Sequence, residues 1–228
     1  MTSTPTDLLP AIELETGIQP THAILWMHGL GADGNDFVPI VDELTLPPDL
    51  RIRFIFPHAP MRPVSINGGL MMRAWHDYDL ASSNSAFREN MASLRDSQTA
   101  IEALIGREKR RGIAPQNIIL AGFSQGGALA LQTGLRYPEK LAGIMALSCY
   151  LPASQTLAAE AHQANSTTSI FMAHGSLDNI IPMALAVASR RQLHESGYAV
   201  TWHEYPMAHS VCKEEIADIG EWLKRVLI

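Results

Sequence analysis

Apolar residues along this chain come in short unbroken runs, separated by longer stretches with helical spacing. "HAILWMHG" (His22 to Gly29) ends at a glycine turn, and "RIRFIFP" (Arg51 to Pro57) is stopped by proline. Short apolar runs bounded by turn residues predict buried strands. From about Phe87 to Arg111 the apolar positions Met91, Leu94, Ile101, Leu104 and Ile105 recur at helical spacing instead, and Gly112 closes the helix. The alternation then repeats. Strand "NIILAGF" leads into a helix from about Gln125 to Arg136, and strand "LAGIMALS" (Leu141 to Ser148) follows. Strand "SIFMAHG" (Ser169 to Gly175), a helix from about Met183 to Ser196, strand "AVTWHEY" (Ala199 to Tyr205) and a helix from about Cys212 to Leu227 complete the pattern. Strands alternating with helices predict an α/β fold with a mostly parallel sheet covered on both faces. With no internal repeat and no linker, residues 1–228 read as a single domain.

Two stretches depart from the alternation. Residues 59–85 have no clean period and are rich in Pro, Gly, Asn and Ser, yet carry Ile66, Leu70, Met71, Met72 and Trp75. Between "LAGIMALS" and "SIFMAHG" lie roughly twenty residues, too few to insert a helical cap. Any cover over a site at this edge must come from residues 59–85.

Composition removes several function classes. Apolar residues make up 46% and charged residues 18%, the balance of a soluble globular protein. A net charge of -6 argues against a nucleic-acid surface, and the basic cluster "REKRR" (Arg107 to Arg111) suits a helix C-terminus. No apolar run reaches the length of a membrane span, and "MTSTPTDLLPAIELE" lacks the basic and apolar regions of a secretory signal. Cys149 and Cys212 lie far apart without metal-ligand spacing. These features read as a reduced, cytoplasmic protein with no metal and no cofactor. They leave a homodimer open.

The chemistry centres on "AGFSQGGA". Gly122-x-Ser124-x-Gly126 has the spacing of a nucleophile elbow, between a strand and a helix as that motif requires. Small neighbours fit the sharp turn, and the helix N-terminus offers N–H groups to a developing oxyanion. A serine needs a base, and the base an orienting acid, in the order Ser, acid, His in such a fold. After Ser124 the aspartates are Asp178, just past a strand end in "HGSLDNIIP", and Asp218, inside the last helix. Of the histidines that follow, His194 lies on a helix and His203 within a strand, whereas His209 lies in the loop "PMAHSV". The order and the loop positions select Ser124 as nucleophile, His209 as base and Asp178 as acid. The N–H of Gln125 and that of Leu30, in the glycine-rich turn "HGLGADGND", are the candidate oxyanion donors.

Together "LWMHGLGADGNDF", "FPHAPMRPVSINGG", "AGFSQGGALAL", "ALSCYLP", "HGSLDNIIP" and "EYPMAHSVCKEEI" resemble the carboxylesterase, phospholipase and acyl-protein thioesterase family of α/β-hydrolases, most closely its bacterial carboxylesterase branch. The resemblance runs from about Ala23 to the C-terminus. It implies an α/β-hydrolase fold without a cap domain, the same triad and the same oxyanion pair. It also implies a small-molecule ester or acyl-thioester substrate. Leu70, Met72 and Trp75 are then candidates for an acyl groove, with Tyr150 and Ile180 as further substrate contacts. The expected activity is that of a serine carboxylesterase on short- to medium-chain acyl esters. An acyl-protein thioesterase or lysophospholipase is the alternative, and a catalytically silent binding protein is the reading from another class.

Overall fold

The computed structural model describes residues 8–79 and 88–228. Its centre is a seven-stranded sheet built from β1 (Ala11–Glu15), β2 (His22–Met27), β3 (Ile52–Pro57), β6 (Ile118–Phe123), β7 (Gly143–Leu147), β8 (Ser169–Gly175) and β9 (Val200–Tyr205). The strand order is β1-β3-β2-β6-β7-β8-β9, and every pairing is parallel except that of β1 with β3. The helices are α1 (Ile40–Glu43), α2 (Met91–Arg110), α3 (Gln125–Arg136), α4 (Leu157–Glu160), α5 (Met183–Glu195) and α6 (Lys213–Leu227).

Successive residues of a strand face opposite sides. In β6, Ile118 and Leu120 join a core with Leu94, Ile101 and Leu104 of α2 and Leu131 of α3. Ile119 and Ala121 join a second core with Ile40 of α1 and Ile219, Trp222 and Leu223 of α6. Both faces are covered, so the strands carry apolar runs in place of an alternating pattern.

The strand order reverses between β2 and β6. Chains leaving the carboxyl ends of these two neighbours diverge, and the gap between them is where a parallel sheet accommodates a ligand. The turn after β2 holds Gly29 to Gly31, and the turn after β6 holds Ser124. Between β7 and β8, α4 and three-residue turns fill the short connection, and no cap is inserted there.

Three features were not visible in the sequence pattern. The edge strand β1 pairs antiparallel to β3 along Ala11–Glu15. Residues 61–73, expected to be irregular, form a hairpin of β4 (Met61–Val64) and β5 (Leu70–Arg73), turned by Gly68 and Gly69 at φ +65° and +79°. Residues 80–85 of that segment lie outside the described residues. The basic residues ending α2 do more than suit the helix terminus. Arg107 and Arg111 pair with Glu13 of β1 and with buried Glu108, which also accepts a 2.7 Å bond from Arg53. Removing one partner from such a buried network leaves an uncompensated charge, so it pins the edge strand to α2.

Candidate active site

Ser124 adopts φ +54° and ψ -120°, a conformation rare for a residue with a Cβ. Strain of this kind persists only where the surroundings fix it. The Ser124 N–H donates to Leu147 O of β7 at 2.8 Å, and α3 begins at the next residue. A Cβ at Gly122 would run into the backbone of Gly126, and one at Gly126 into the carbonyls of Met27 and His28. Both glycines are therefore demanded by space.

His209 stands across from the serine. Its Nε2 is 2.9 Å from Ser124 Oγ, and its Nδ1 is 2.7 Å from Asp178 Oδ2. A carboxylate can only accept, so the proton sits on Nδ1 and Nε2 is left to accept from the serine hydroxyl. Asp178 Oδ1 accepts the N–H groups of Ile180 and Ile181 at 2.9 and 2.8 Å. Burial opposes the charge on Asp178. The His209 bond and the two backbone donors outweigh it and hold the carboxyl below its ordinary range. The ring of Phe123 lies against His209 with centroids 4.7 Å apart. The acid and the strand histidine passed over in the sequence find each other elsewhere. His203 Nδ1 is 3.2 Å from Asp218 Oδ2, to which Tyr205 Oη also donates. Among the described residues no serine hydroxyl bonds to that histidine.

Leu30 and Ser124 face one cavity of about 270 Å³, together with Ile66, Tyr78, Phe123 and His209. The turn after β2 uses the N–H groups of Gly31 and Ala32 for its own bonds, to Arg73 O and Gly29 O, and not that of Leu30. Gln125, the first residue of α3, has no carbonyl four residues earlier within the helix to receive its N–H.

The candidate substrate contacts divide. Ile180 lines this cavity and is 54% exposed. Leu70 is 63% exposed on β5, and Met72 is half-buried with its sulfur near the Asn67 amide. Neither is among the residues that line the cavity. Trp75 is fully buried, donates from Nε1 to His28 O at 2.8 Å, and packs its ring on His28. It supports the site from below and has no surface for an acyl chain. Tyr150 is also buried, and burial with neighbouring Tyr78 and Glu89 pushes its phenol far above the usual range. It lines a separate, larger cavity of about 480 Å³ with Glu89 and Gln192. Neither Ser124 nor His209 lines that cavity. The sequence reading named Ile66 only as one of the apolar residues of segment 59–85, without choosing it as a substrate contact, and missed Tyr78 and Phe123. Phe123 occupies the first variable position of the Gly-x-Ser motif, which is the signal that would have found it. The other two fall in the aperiodic segment.

Among the described residues no group of three or more His, Cys, Asp and Glu could hold a metal ion. No helix among them is long and apolar enough to cross a membrane.

An elbow serine at the switch point of a mostly parallel sheet, with a histidine and an aspartate on later strand-end loops, defines an α/β-hydrolase. Within that class the chain belongs to the phospholipase/carboxylesterase family, whose profile matches residues 11–227. It is 38% identical over 223 residues to acyl-protein thioesterase 1 of Neurospora crassa, covering 95% of this chain and 89% of that protein. It is 34% identical over 220 residues to acyl-protein thioesterase 1 of Yarrowia lipolytica, covering 94% and 96%. Among solved structures it resembles Arabidopsis thaliana SOBER1 with a TM-score of 0.82 and 30% identity, over 91% of this chain and 99% of that one. Zea mays acyl-protein thioesterase 2 gives 0.81 and 25%, over 96% and 99%. The protein is a serine-hydrolase-type enzyme acting on esters or thioesters.

Proposed function

We propose that the protein hydrolyses acyl thioesters, and oxygen esters alongside them, through an acyl-enzyme on Ser124. Removal of acyl chains from proteins is the main reaction in this reading. One observation carries the chemistry: the continuous hydrogen bonding from Ser124 through His209 to Asp178. The thioester preference rests on the relatives named above, and it displaces the plain carboxylesterase as the favoured form.

Ser124 Oγ attacks the acyl carbonyl carbon while His209 Nε2 takes the hydroxyl proton. Negative charge passes to the carbonyl oxygen, which accepts the N–H groups of Leu30 and Gln125. As the tetrahedral adduct collapses, the bond to sulfur or oxygen breaks and His209 returns the proton to the leaving thiolate or alkoxide. Water, with His209 again as base, then attacks the acyl-serine and releases the acid. Asp178 keeps the imidazole tautomer fixed throughout. The acyl chain lies against Ile66, Phe123 and Ile180, where each buried methylene adds about 0.8 kcal/mol. Both cysteines are free, which suits a reducing cytoplasm.

The test compares kcat/KM for an octanoyl cysteine thioester on a short peptide with that for octanoyl p-nitrophenyl ester. A rate constant for the thioester equal to or above that for the ester supports the reading. Hydrolysis of the ester with the thioester left intact replaces it by a carboxylesterase.

A further inference from the structure

We propose that the side chain of Gln125 is a positioning residue that sets the spacing between the two oxyanion donors, a role separate from its own backbone N–H. This rests on the function proposed above, which makes Leu30 and Gln125 the donor pair.

The problem it solves is geometric. The donors sit on different strands' ends, and the β2–β6 ladder stops at the pair Met27↔Gly122. Beyond that rung no ladder bond joins residues 28–31 to residues 123–125. Something else must hold the two N–H groups at a fixed distance, because an oxyanion hole works only when both donors already point at one oxygen.

Gln125 supplies the tie. The residue is buried, at 3% exposure. Oε1 accepts the Trp75 N–H at 2.6 Å and Nε2 donates to His76 O at 2.8 Å, so one side chain imitates a rung of sheet. The Ser97 hydroxyl clamps the same segment by donating to Trp75 O. From this segment two bonds reach the turn on either side of Leu30. Trp75 Nε1 donates to His28 O at 2.8 Å, and Arg73 O accepts the Gly31 N–H at 2.9 Å. The His28 ring stiffens the turn further. Gly29 O, 2.7 Å from Nδ1, can only accept, so Nδ1 carries the proton and Nε2 accepts the Ala59 N–H at 3.1 Å. A continuous bonded path therefore runs from the Gln125 amide through Trp75 to both flanks of Leu30.

A carboxamide that merely satisfied two buried backbone groups would matter for stability alone. The distinction is measurable with Gln125→Met, which keeps the backbone N–H and nearly the volume, and with Trp75→Phe, which removes the Nε1–H bond to His28 O together with part of a buried ring. For each, kcat and KM are measured on an acetyl thioester, together with the inhibition constant of an acetyl-sized trifluoromethyl ketone, whose serine adduct carries the oxyanion. Thermal melting establishes that the variant is folded. Displaced donors should lower kcat about ten- to hundred-fold. KM should stay within about two-fold, since the loss falls in the transition state. The ketone should weaken by the same factor as kcat/KM, and the double variant should be no worse than the poorer single one, because both cut one path.

Wild-type kcat and ketone affinity in folded Gln125→Met would overturn the proposal, as would a rise in KM with kcat unchanged. If Gln125→Met does not fold, the same readings on Trp75→Phe decide. Labelling of wild-type Ser124 by a fluorophosphonate is run in parallel. Its failure sinks the proposed function itself, whereas labelling with indifferent variants sinks only the role of the Gln125 side chain.

Discussion

Ser124 and Asp178 should fail in different ways when changed. Ser124→Ala removes the covalent route, with an expected loss in turnover on the order of a million-fold. Asp178→Asn keeps a group at hydrogen-bond distance but lets the imidazole take the wrong tautomer, with an expected loss of roughly ten-thousand-fold. Asp218→Asn should stay near wild type, because Asp218 engages His203 and Tyr205 away from the serine. Steady-state rates of the three purified variants check this, and a loss at Asp218 exceeding that at Asp178 would reverse the assignment. The sequence offered these residues because order along the chain and loop position filter polar candidates sharply. It could not sort the apolar ones. Trp75 and Ile180 look equally fit for an acyl groove as letters, yet one is sealed in the core and the other is 54% exposed at the mouth. Burial is a property of the assembled layers and has no signature at a single aperiodic position. Ile180→Ala should therefore lower kcat/KM for octanoyl substrates more than for acetyl ones. Trp75→Ala should lower both alike, by loosening the turn that carries Leu30. A chain-length series on the two variants separates these outcomes.

Among the elements, the elbow between β6 and α3 leaves no room for a side chain at Gly122 or Gly126. Gly126→Ala forces a methyl into the carbonyls of Met27 and His28, which belong to β2 and the turn after it. Neither backbone can retreat without breaking the parallel pairing of β2 with β6. The expected loss is about 1–3 kcal/mol or more of folding stability, read from the urea midpoint. A midpoint equal to wild type would mean that α3 can lift off the sheet. The strong elements were legible because their apolar runs or helical periods are long. The edge strand β1 and the β4–β5 hairpin were not. They span 4 or 5 residues each, and their residues are mostly half-buried or exposed. Pairing to β3 and to each other defines these strands, and that information lies far away in sequence.

Across the whole molecule, three buried ionisable groups with large shifts contribute to the pH dependence of stability. Burial holds His28 and His76 down to about 4 and about 3, against an ordinary 6.5. Unfolded chains bind these protons first, so their contribution is complete above pH 6.5 and is lost as pH falls toward the folded values. At 1.36 kcal/mol per unit, each costs roughly 2–3 kcal/mol at pH 4.5. His76→Phe should flatten the acid limb of stability measured by urea titration between pH 6.5 and 4.5, and an unchanged slope would refute the buried neutral ring. Glu215 acts in the opposite sense. Burial, with Asp218 nearby, raises it to about 8 from 4.5. Its contribution is complete below pH 4.5 and is lost as pH rises toward 8. Glu215→Gln should add on the order of 3 kcal/mol at pH 7.5 and almost nothing at pH 4. Equal effects at both pH values would contradict a carboxyl kept protonated by the fold. The alternation of strands and helices announced the parallel sheet. It carried no sign of these groups, since His76 and Glu215 are ordinary polar letters until two layers close over them.

The proposed chemistry stands or falls with Ser124 as the activated nucleophile of an acyl-enzyme. Intact-protein mass spectrometry after brief exposure to a fluorophosphonate, followed by peptide mapping, reads that activation at the residue itself. One adduct per chain is expected on the peptide holding Ser124, lost in Ser124→Ala and strongly slowed in Asp178→Asn. Stoichiometric labelling that persists in Ser124→Ala, or no labelling of the folded wild-type protein, would contradict it.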